Sequence, residues 1–81
     1  MTTAENIQEL VSNIVVALVD NKEDVKVDAL EKEGGEVRIE VRVKEEDAGR
    51  VIGRSGRIIK SIRTLARSAA RETRVEVELI D

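Results

Sequence analysis

The sequence has 81 residues, the size of one small domain, and 38 % of them are charged. It contains no Phe, Trp or Tyr, which excludes stacking on aromatic side chains, and no Pro. The absence of Cys and His excludes disulfide bonds, thiolate nucleophiles and the commonest zinc ligands, and it removes the usual near-neutral general base. We therefore expect neither an enzyme nor a protein that holds a metal or cofactor.

The N-terminal segment lacks the basic start and apolar core of a signal peptide. The longest strongly apolar stretch, Ile14–Val19, is too short to span a bilayer. These features predict a cytoplasmic protein without a membrane span.

The net charge of −3 conceals two segments of opposite sign. Residues 1–48 carry 6 basic and 13 acidic residues, whereas residues 49–74 carry 8 basic residues and a single acid, Glu72. A polyanion responds to the local field of such a basic segment and not only to the net charge. Arginine is also a good helix former on solvated faces, so composition alone leaves both interpretations open.

The first predicted element is an amphipathic helix. Thr2 and Glu5 have the spacing of a capping box, so the helix is expected to begin near Thr3. It is expected to end near Val19, before Asp20–Asn21. Its apolar stripe consists of Ile7, Leu10, Val11, Ile14, Val15 and Leu18.

Two segments with alternating apolar residues then predict strands. The first covers Val25–Leu30, and the second, Val37–Lys44, is the clearer one because every second residue is Val or Ile. The pair Gly34–Gly35 between them suits the positive φ of a tight turn. Arginines on the wet face of the second strand are expected to pair across the sheet with acids such as Asp28.

Two helices and a last strand complete the predicted order. Glu45, Glu46 and Asp47 precede a short helix that reaches about Ile52, and their charge complements a helix N-terminus. A longer helix is expected over 57–70, and alternating residues predict a strand over 75–79. The order α-β-β-α-α-β predicts an α+β fold, a two-layer sandwich of three helices on a three-stranded sheet.

The longer helix has an apolar side and a basic side. The residues expected on its buried side are Ile58, Ile62, Leu65, Ala66 and Ala69, and Ile52 is also expected in the core. The residues expected on the opposite side are Arg57, Lys60, Arg63, Arg67 and Arg71. Ile59 lies at the edge of the apolar arc, and Arg67 and Arg71 fit either a phosphate-binding track or an ordinary solvated face.

Between these helices lies the segment Gly53–Gly56, which we call the GXXG loop. Its glycines allow positive φ, and neither has a Cβ that would obstruct an approaching chain. The N–H groups at the start of the next helix are expected to be unpaired and to attract an anion, and Arg54, Arg57 and Lys60 add charge. The pattern suits the phosphates of a chain, although a lone Gly-x-x-Gly also occurs as a plain turn between helices.

The longer segment Gly49–Ile59 (GRVIGRSGRII) resembles the signature of KH domains. The element order is similar to that of type II KH domains, and the continuation Lys60–Leu65 resembles the small stand-alone KH proteins of bacteria. The resemblance implies a single KH domain over residues 1–81 that binds the backbone of about four nucleotides of single-stranded RNA. The site residues that it implies are Arg50, Ile52, Gly53, Arg54, Ser55, Gly56, Arg57, Ile59 and Lys60.

The resemblance also implies partners and processes. It implies a homodimer, a heterodimer with a larger KH-domain protein, or both, with RNA-chaperone activity and roles in RNA metabolism and in cell elongation and division. Ile59 and Ala70, at the margin of the apolar arc, are a candidate interface. The alternative that the sequence leaves open is a protein–protein adaptor that uses the same fold for assembly.

Overall fold

The computed structural model describes residues 2–80, so Met1 and Asp81, which the predicted domain includes, lie outside the described residues. The elements, in chain order, are helix α1 (Thr3–Leu18), strands β1 (Lys26–Glu31) and β2 (Val37–Arg42), helices α2 (Ala48–Ile52) and α3 (Arg57–Ala70), and strand β3 (Val75–Leu79). This order confirms the predicted α+β fold, and the predicted boundaries are correct to within two residues.

Helix α1 begins at a complete capping box. The N–H of Glu5 donates to Oγ1 of Thr2, and the N–H of Thr2 donates to Oε1 of Glu5, each at 3.1 Å. These bonds satisfy donors that have no partner within the helix, and they confirm the predicted start. Neither α1 nor any other helix within residues 2–80 is long and apolar enough to cross a membrane.

Strand β2 lies at the centre of the sheet. It pairs antiparallel with β1 and parallel with β3, giving the order β1-β2-β3. A parallel pair requires a crossover connection, which α2 and α3 supply. The register sets Ile39 opposite both Ala29 and Val77, so an apolar row faces the helices.

The core fills the space between the sheet and the helices. Its fully enclosed members include Ile7, Val11, Val15, Ile39, Val41, Val51, Ile62 and Ala66. Burial of each Val, Leu or Ile side chain contributes about 1.5–3 kcal/mol, which lets a chain without aromatic residues hold a single thin core.

The buried face of α3 differs from the prediction. The residues of α3 that are buried are Ile59, Ile62, Ala66 and Ala70. The prediction is wrong for Leu65, which is 52 % exposed, and for Ala69, which is exposed, while Ile58 is half-buried against the core. Ile52 is also not a core residue, because 41 % of it is exposed. Ile59 and Ala70, predicted as a candidate interface, are themselves part of the core.

The face of the sheet that points away from the helices carries ion pairs. Arg42 lies 3.4 Å from Asp28 across the β1–β2 pair, which confirms the predicted partner. Arg38 pairs with Glu78 on β3 and lies 3.5 Å from Glu40. Such partly exposed pairs contribute little to stability each, but they neutralise the arginines of this face.

Candidate nucleic-acid interface

The GXXG loop joins α2 to α3 through a backbone reversal that requires glycine at its first position. Gly53 has φ +77° and ψ 173°, a region that is almost exclusive to glycine. Its N–H donates to the carbonyl of Gly49 at 2.9 Å and closes α2. A Cβ on Gly53 would lie 2.6 Å from Cγ1 of Ile58, so the loop is pressed against the first turn of α3.

The outer half of the loop presents its backbone to open space. Ser55 (φ 56°, ψ 25°) and Gly56 (φ 73°, ψ 17°) are both left-handed, and Arg54 and Ser55 are exposed. A Cβ on Gly56 would have no closer neighbour than Cε of Lys60, at 3.9 Å. A strand that carries phosphates can therefore approach the loop backbone from this side, beside the Lys60 side chain.

Two backbone N–H groups at the end of the loop already donate to carbonyls of the loop. The N–H of Gly56 donates to the carbonyl of Gly53 at 3.1 Å, and the N–H of Arg57 donates to the carbonyl of Arg54. The prediction of unpaired N–H groups at the start of α3 is therefore wrong for Arg57, because the loop forms a tight turn before the helix begins. Neither of these two N–H groups is free to donate to an anion.

Positive side-chain charge is concentrated beside the loop. Arg54, Arg57 and Lys60 are all exposed, and none of them forms an ion pair within residues 2–80. Arg50 is different, since its Nη2 lies 3.1 Å from Oδ2 of Asp20 in the connection after α1. Three of the four predicted cations are therefore not paired with a carboxylate of the described residues.

The two predicted apolar site residues lie in different environments. Ile52 precedes the loop and is largely exposed, so its side chain can contact a base edge. Ile59 is only 7 % exposed and belongs to the core, although its Cγ2 reaches to 4.0 Å from the position of a Cβ on Gly56. Ile59 therefore packs between the loop and the core, whereas Ile52 lies on the surface beside the loop.

The structure adds one residue that the sequence did not indicate as part of this region. The carboxylate of Asp47, at the start of α2, is buried and accepts three hydrogen bonds from the connection after α1. The donors are the N–H of Asn21 at 3.0 Å, Nδ2 of Asn21 at 2.9 Å and the N–H of Asp20 at 3.3 Å. These bonds fix α2, and hence the start of the GXXG loop, to the end of α1.

The surroundings of Asp47 favour its ionised form. Burial by itself raises the pKa of the Asp47 carboxyl, but the hydrogen bonds from Asn21 and Asp20, helped by the charge of Arg50, outweigh burial and lower the pKa below its ordinary value. The sequence predicted only that Asp47 complements the dipole of α2. Its true partners lie 26 and 27 residues away, and no local pattern indicates them.

The fold and the loop together define a class of protein. A mixed three-stranded sheet, the order α-β-β-α-α-β and a Gly-x-x-Gly turn between the two central helices constitute a KH fold of type II. The resemblance stated from the sequence is therefore confirmed at the level of the fold.

Comparison with known proteins specifies the family. The family model described as "KhpA/KhpB, KH domain" matches residues 8–80, and the chain belongs to this family. A protein named RNA-binding protein KhpA from Leifsonia xyli is 49 % identical over 70 residues, which cover 86 % of this chain and 91 % of that protein. Proteins of the same name from Borreliella burgdorferi and Treponema pallidum are each 43 % identical, over 90 % and 100 % of both chains.

Proposed function

We propose that this chain is a non-catalytic protein that binds single-stranded RNA, with its whole length acting as one KH domain. The observation that carries the proposal is the combination of a loop backbone open at Gly56 with three cations beside it that form no ion pair within residues 2–80. The relatives named RNA-binding protein KhpA support the same ligand. The proposed site of action is the cytoplasm, in RNA metabolism, including chaperone activity, and in cell elongation and division.

The proposed mechanism is a clamp on the backbone of about four nucleotides. Phosphates lie along the GXXG loop, where Arg54, Arg57 and Lys60 supply charge. Ile52 contacts base edges, because its side chain is largely exposed and directly precedes the loop. The chain has no aromatic residue on which a base could stack. Preference among bases is then modest, and electrostatics supplies most of the affinity.

The substitution pair Arg54→Asp/Ser55→Asp tests this clamp. Two carboxylates would replace the positive charge where a phosphate lies, and aspartate tolerates the left-handed conformation of Ser55. We expect fluorescence anisotropy with a labelled four-nucleotide RNA to show saturable binding by the wild type and at least about tenfold weaker binding by the variant. With about three phosphates neutralised, log affinity for the wild type should fall with log salt at a slope of roughly −2.

A matched control separates local charge from net charge. Lys26→Gln/Lys32→Asp changes the net charge by the same three units, and both lysines are exposed and outside the ion pairs of residues 2–80. This control should bind the RNA nearly as tightly as the wild type. Equal losses in the two variants, or wild-type affinity in Arg54→Asp/Ser55→Asp, would refute the clamp.

We also propose that the chain pairs with a second copy or with a larger KH-domain protein. One copy offers a small site, and linking two sites raises avidity without any new contact. The surface that favours pairing is the side of α3 on which Leu65, Ala69 and the half-buried Ile58 lie. Leu65 is a large apolar side chain that is more than half exposed, and with its apolar neighbours it can anchor an interface.

Leu65→Asp tests the pairing, with Leu30→Asp as its control. Leu30 is 43 % exposed and lies on β1, so it matches Leu65 in residue type and exposure but not in position. We expect sedimentation equilibrium to give a dimer for the wild type and for Leu30→Asp, and a monomer for Leu65→Asp. A dimer that survives Leu65→Asp would exclude this side of α3.

The alternative function, a protein–protein adaptor, is tested by the loop variant. If Arg54→Asp/Ser55→Asp abolishes RNA binding but leaves the cellular phenotype normal, the adaptor function is the correct one.

A further inference from the structure

The arginines of this chain divide into two groups by their partners. Every arginine before residue 54 lies within 4 Å of a carboxylate, and these are Arg38, Arg42 and Arg50. Within residues 2–80, no arginine from residue 54 onward forms an ion pair, although there are six, namely Arg54, Arg57, Arg63, Arg67, Arg71 and Arg74. The unpaired charge therefore extends well beyond the GXXG loop.

Three of the unpaired cations form a row along α3. At about 100° per residue, Lys60 and Arg67 fall within roughly 20° of each other, on a side of α3 turned away from the buried Ile62, and Arg71 directly follows the last residue of the helix. All three are exposed. At about 1.5 Å per residue, the row extends about 16 Å from Lys60, which borders the loop, to the end of the helix.

The backbone at the far end of the row is an independent observation. Arg71 follows the last residue of α3 with φ 58° and ψ −110°, a conformation that glycine adopts readily and other residues rarely do. A side chain in this region strains the backbone, and such strain persists most often where the residue is used. The chain thus keeps an arginine at a position where glycine would be more stable.

We infer that Lys60, Arg67 and Arg71 form a second phosphate-contacting track, which receives single-stranded RNA as it leaves the GXXG loop. At 3.4 Å or more per nucleotide, about 16 Å accommodates roughly four further phosphates. The ligand is then a strand of about eight nucleotides or more. This inference rests on the proposed function, because it extends the strand that the loop holds.

The test compares a four-nucleotide with a twelve-nucleotide oligouridylate on wild type and on Arg67→Gln/Arg71→Gly. Affinity for the short strand should be unchanged, and affinity for the long strand should fall about tenfold. The salt slope for the long strand should become shallower by about 1.4, the value for two lost contacts to a single strand. A longer strand also offers more binding registers, but this number is the same for both proteins and does not affect their comparison.

Two controls exclude trivial explanations. Lys26→Gln/Lys32→Gln removes the same two charges from β1 and the turn after it and should leave both affinities unchanged. Arg71→Gly alone should raise the melting temperature and weaken binding of the long strand. A variant that binds less because it is partly unfolded would instead have a lower melting temperature. Unchanged long-strand affinity and salt slope in Arg67→Gln/Arg71→Gly would overturn the track.

Refutation of the track can be distinguished from refutation of the clamp at the GXXG loop. If Arg54→Asp/Ser55→Asp leaves short-strand binding intact, the clamp is refuted, whatever the arginine variants do. If that pair abolishes short-strand binding and the α3 variant binds the long strand as the wild type does, the clamp stands and the track is refuted.

Discussion

Replacing Gly53 with alanine should destabilise the protein by roughly 3 kcal/mol or more, a large part of the stability of a domain of this size. Its backbone, at φ +77° and ψ 173°, lies where alanine is strongly disfavoured. The new Cβ would also lie 2.6 Å and 2.8 Å from Cγ1 and Cβ of Ile58 and 2.9 Å from its backbone nitrogen. Because the clash involves backbone, moving one side chain cannot relieve it. Urea denaturation followed by circular dichroism measures the loss.

Gly56→Ala is the matched control at the other end of the loop. Gly56 also has positive φ, at +73°, but its surroundings are open to 3.9 Å, so alanine there adds backbone strain without a clash. We expect a loss of about 1–2 kcal/mol. Equal losses at the two positions would show that the packing of the loop against Ile58 does not constrain the fold. Together the two variants separate the glycine that the fold requires from the one that leaves the loop open.

The local elements were predictable because each has a local cause. The capping box at Thr2 and Glu5 sets the start of α1, and the alternation of apolar and polar residues sets β2. Gly53 and Gly56 separate α2 from α3. The buried side of α3 was not predictable in the same way. Two stripes at helical spacing overlap in its sequence, and the one containing Leu65 is the more apolar. The sheet instead packs against the stripe with Ala66 and Ala70, and only tertiary contact decides between the two.

The same division applies to the candidate site. The glycines and the cations of the GXXG loop could be read from spacing and charge, since they are neighbours in sequence. The ion pair of Arg50 and the burial of Asp47 could not, because their partners Asp20 and Asn21 come from the connection after α1. The helix dipole accounts for all three consecutive acids before α2. The sequence therefore does not indicate that one of them, Asp47, is buried.

Asp47→Asn should lower the melting temperature by roughly 10 °C at pH 7, since one oxygen acceptor is replaced by a donor that faces the N–H groups of Asp20 and Asn21. Glu46→Gln is the matched control. Glu46 also accepts a hydrogen bond from Nδ2 of Asn21, but it is exposed, so its loss should change the melting temperature little. Thermal unfolding by circular dichroism gives both values. Equal shifts for the two variants would refute a special role for the buried carboxylate.

The pH dependence gives this prediction a sign. The pKa of Asp47 is lower in the folded than in the unfolded chain, so the ionised carboxylate stabilises the fold above the unfolded value, about 4, and that contribution is lost as the pH falls through the folded value. The gap in melting temperature between wild type and Asp47→Asn should therefore be widest near neutral pH and narrow below about pH 4, where the protonated carboxyl resembles the amide. Contributions to the pH dependence that the two proteins share cancel in this difference. A gap that stays constant between pH 7 and pH 3 would mean that the charge of Asp47 does not hold α2 to the end of α1.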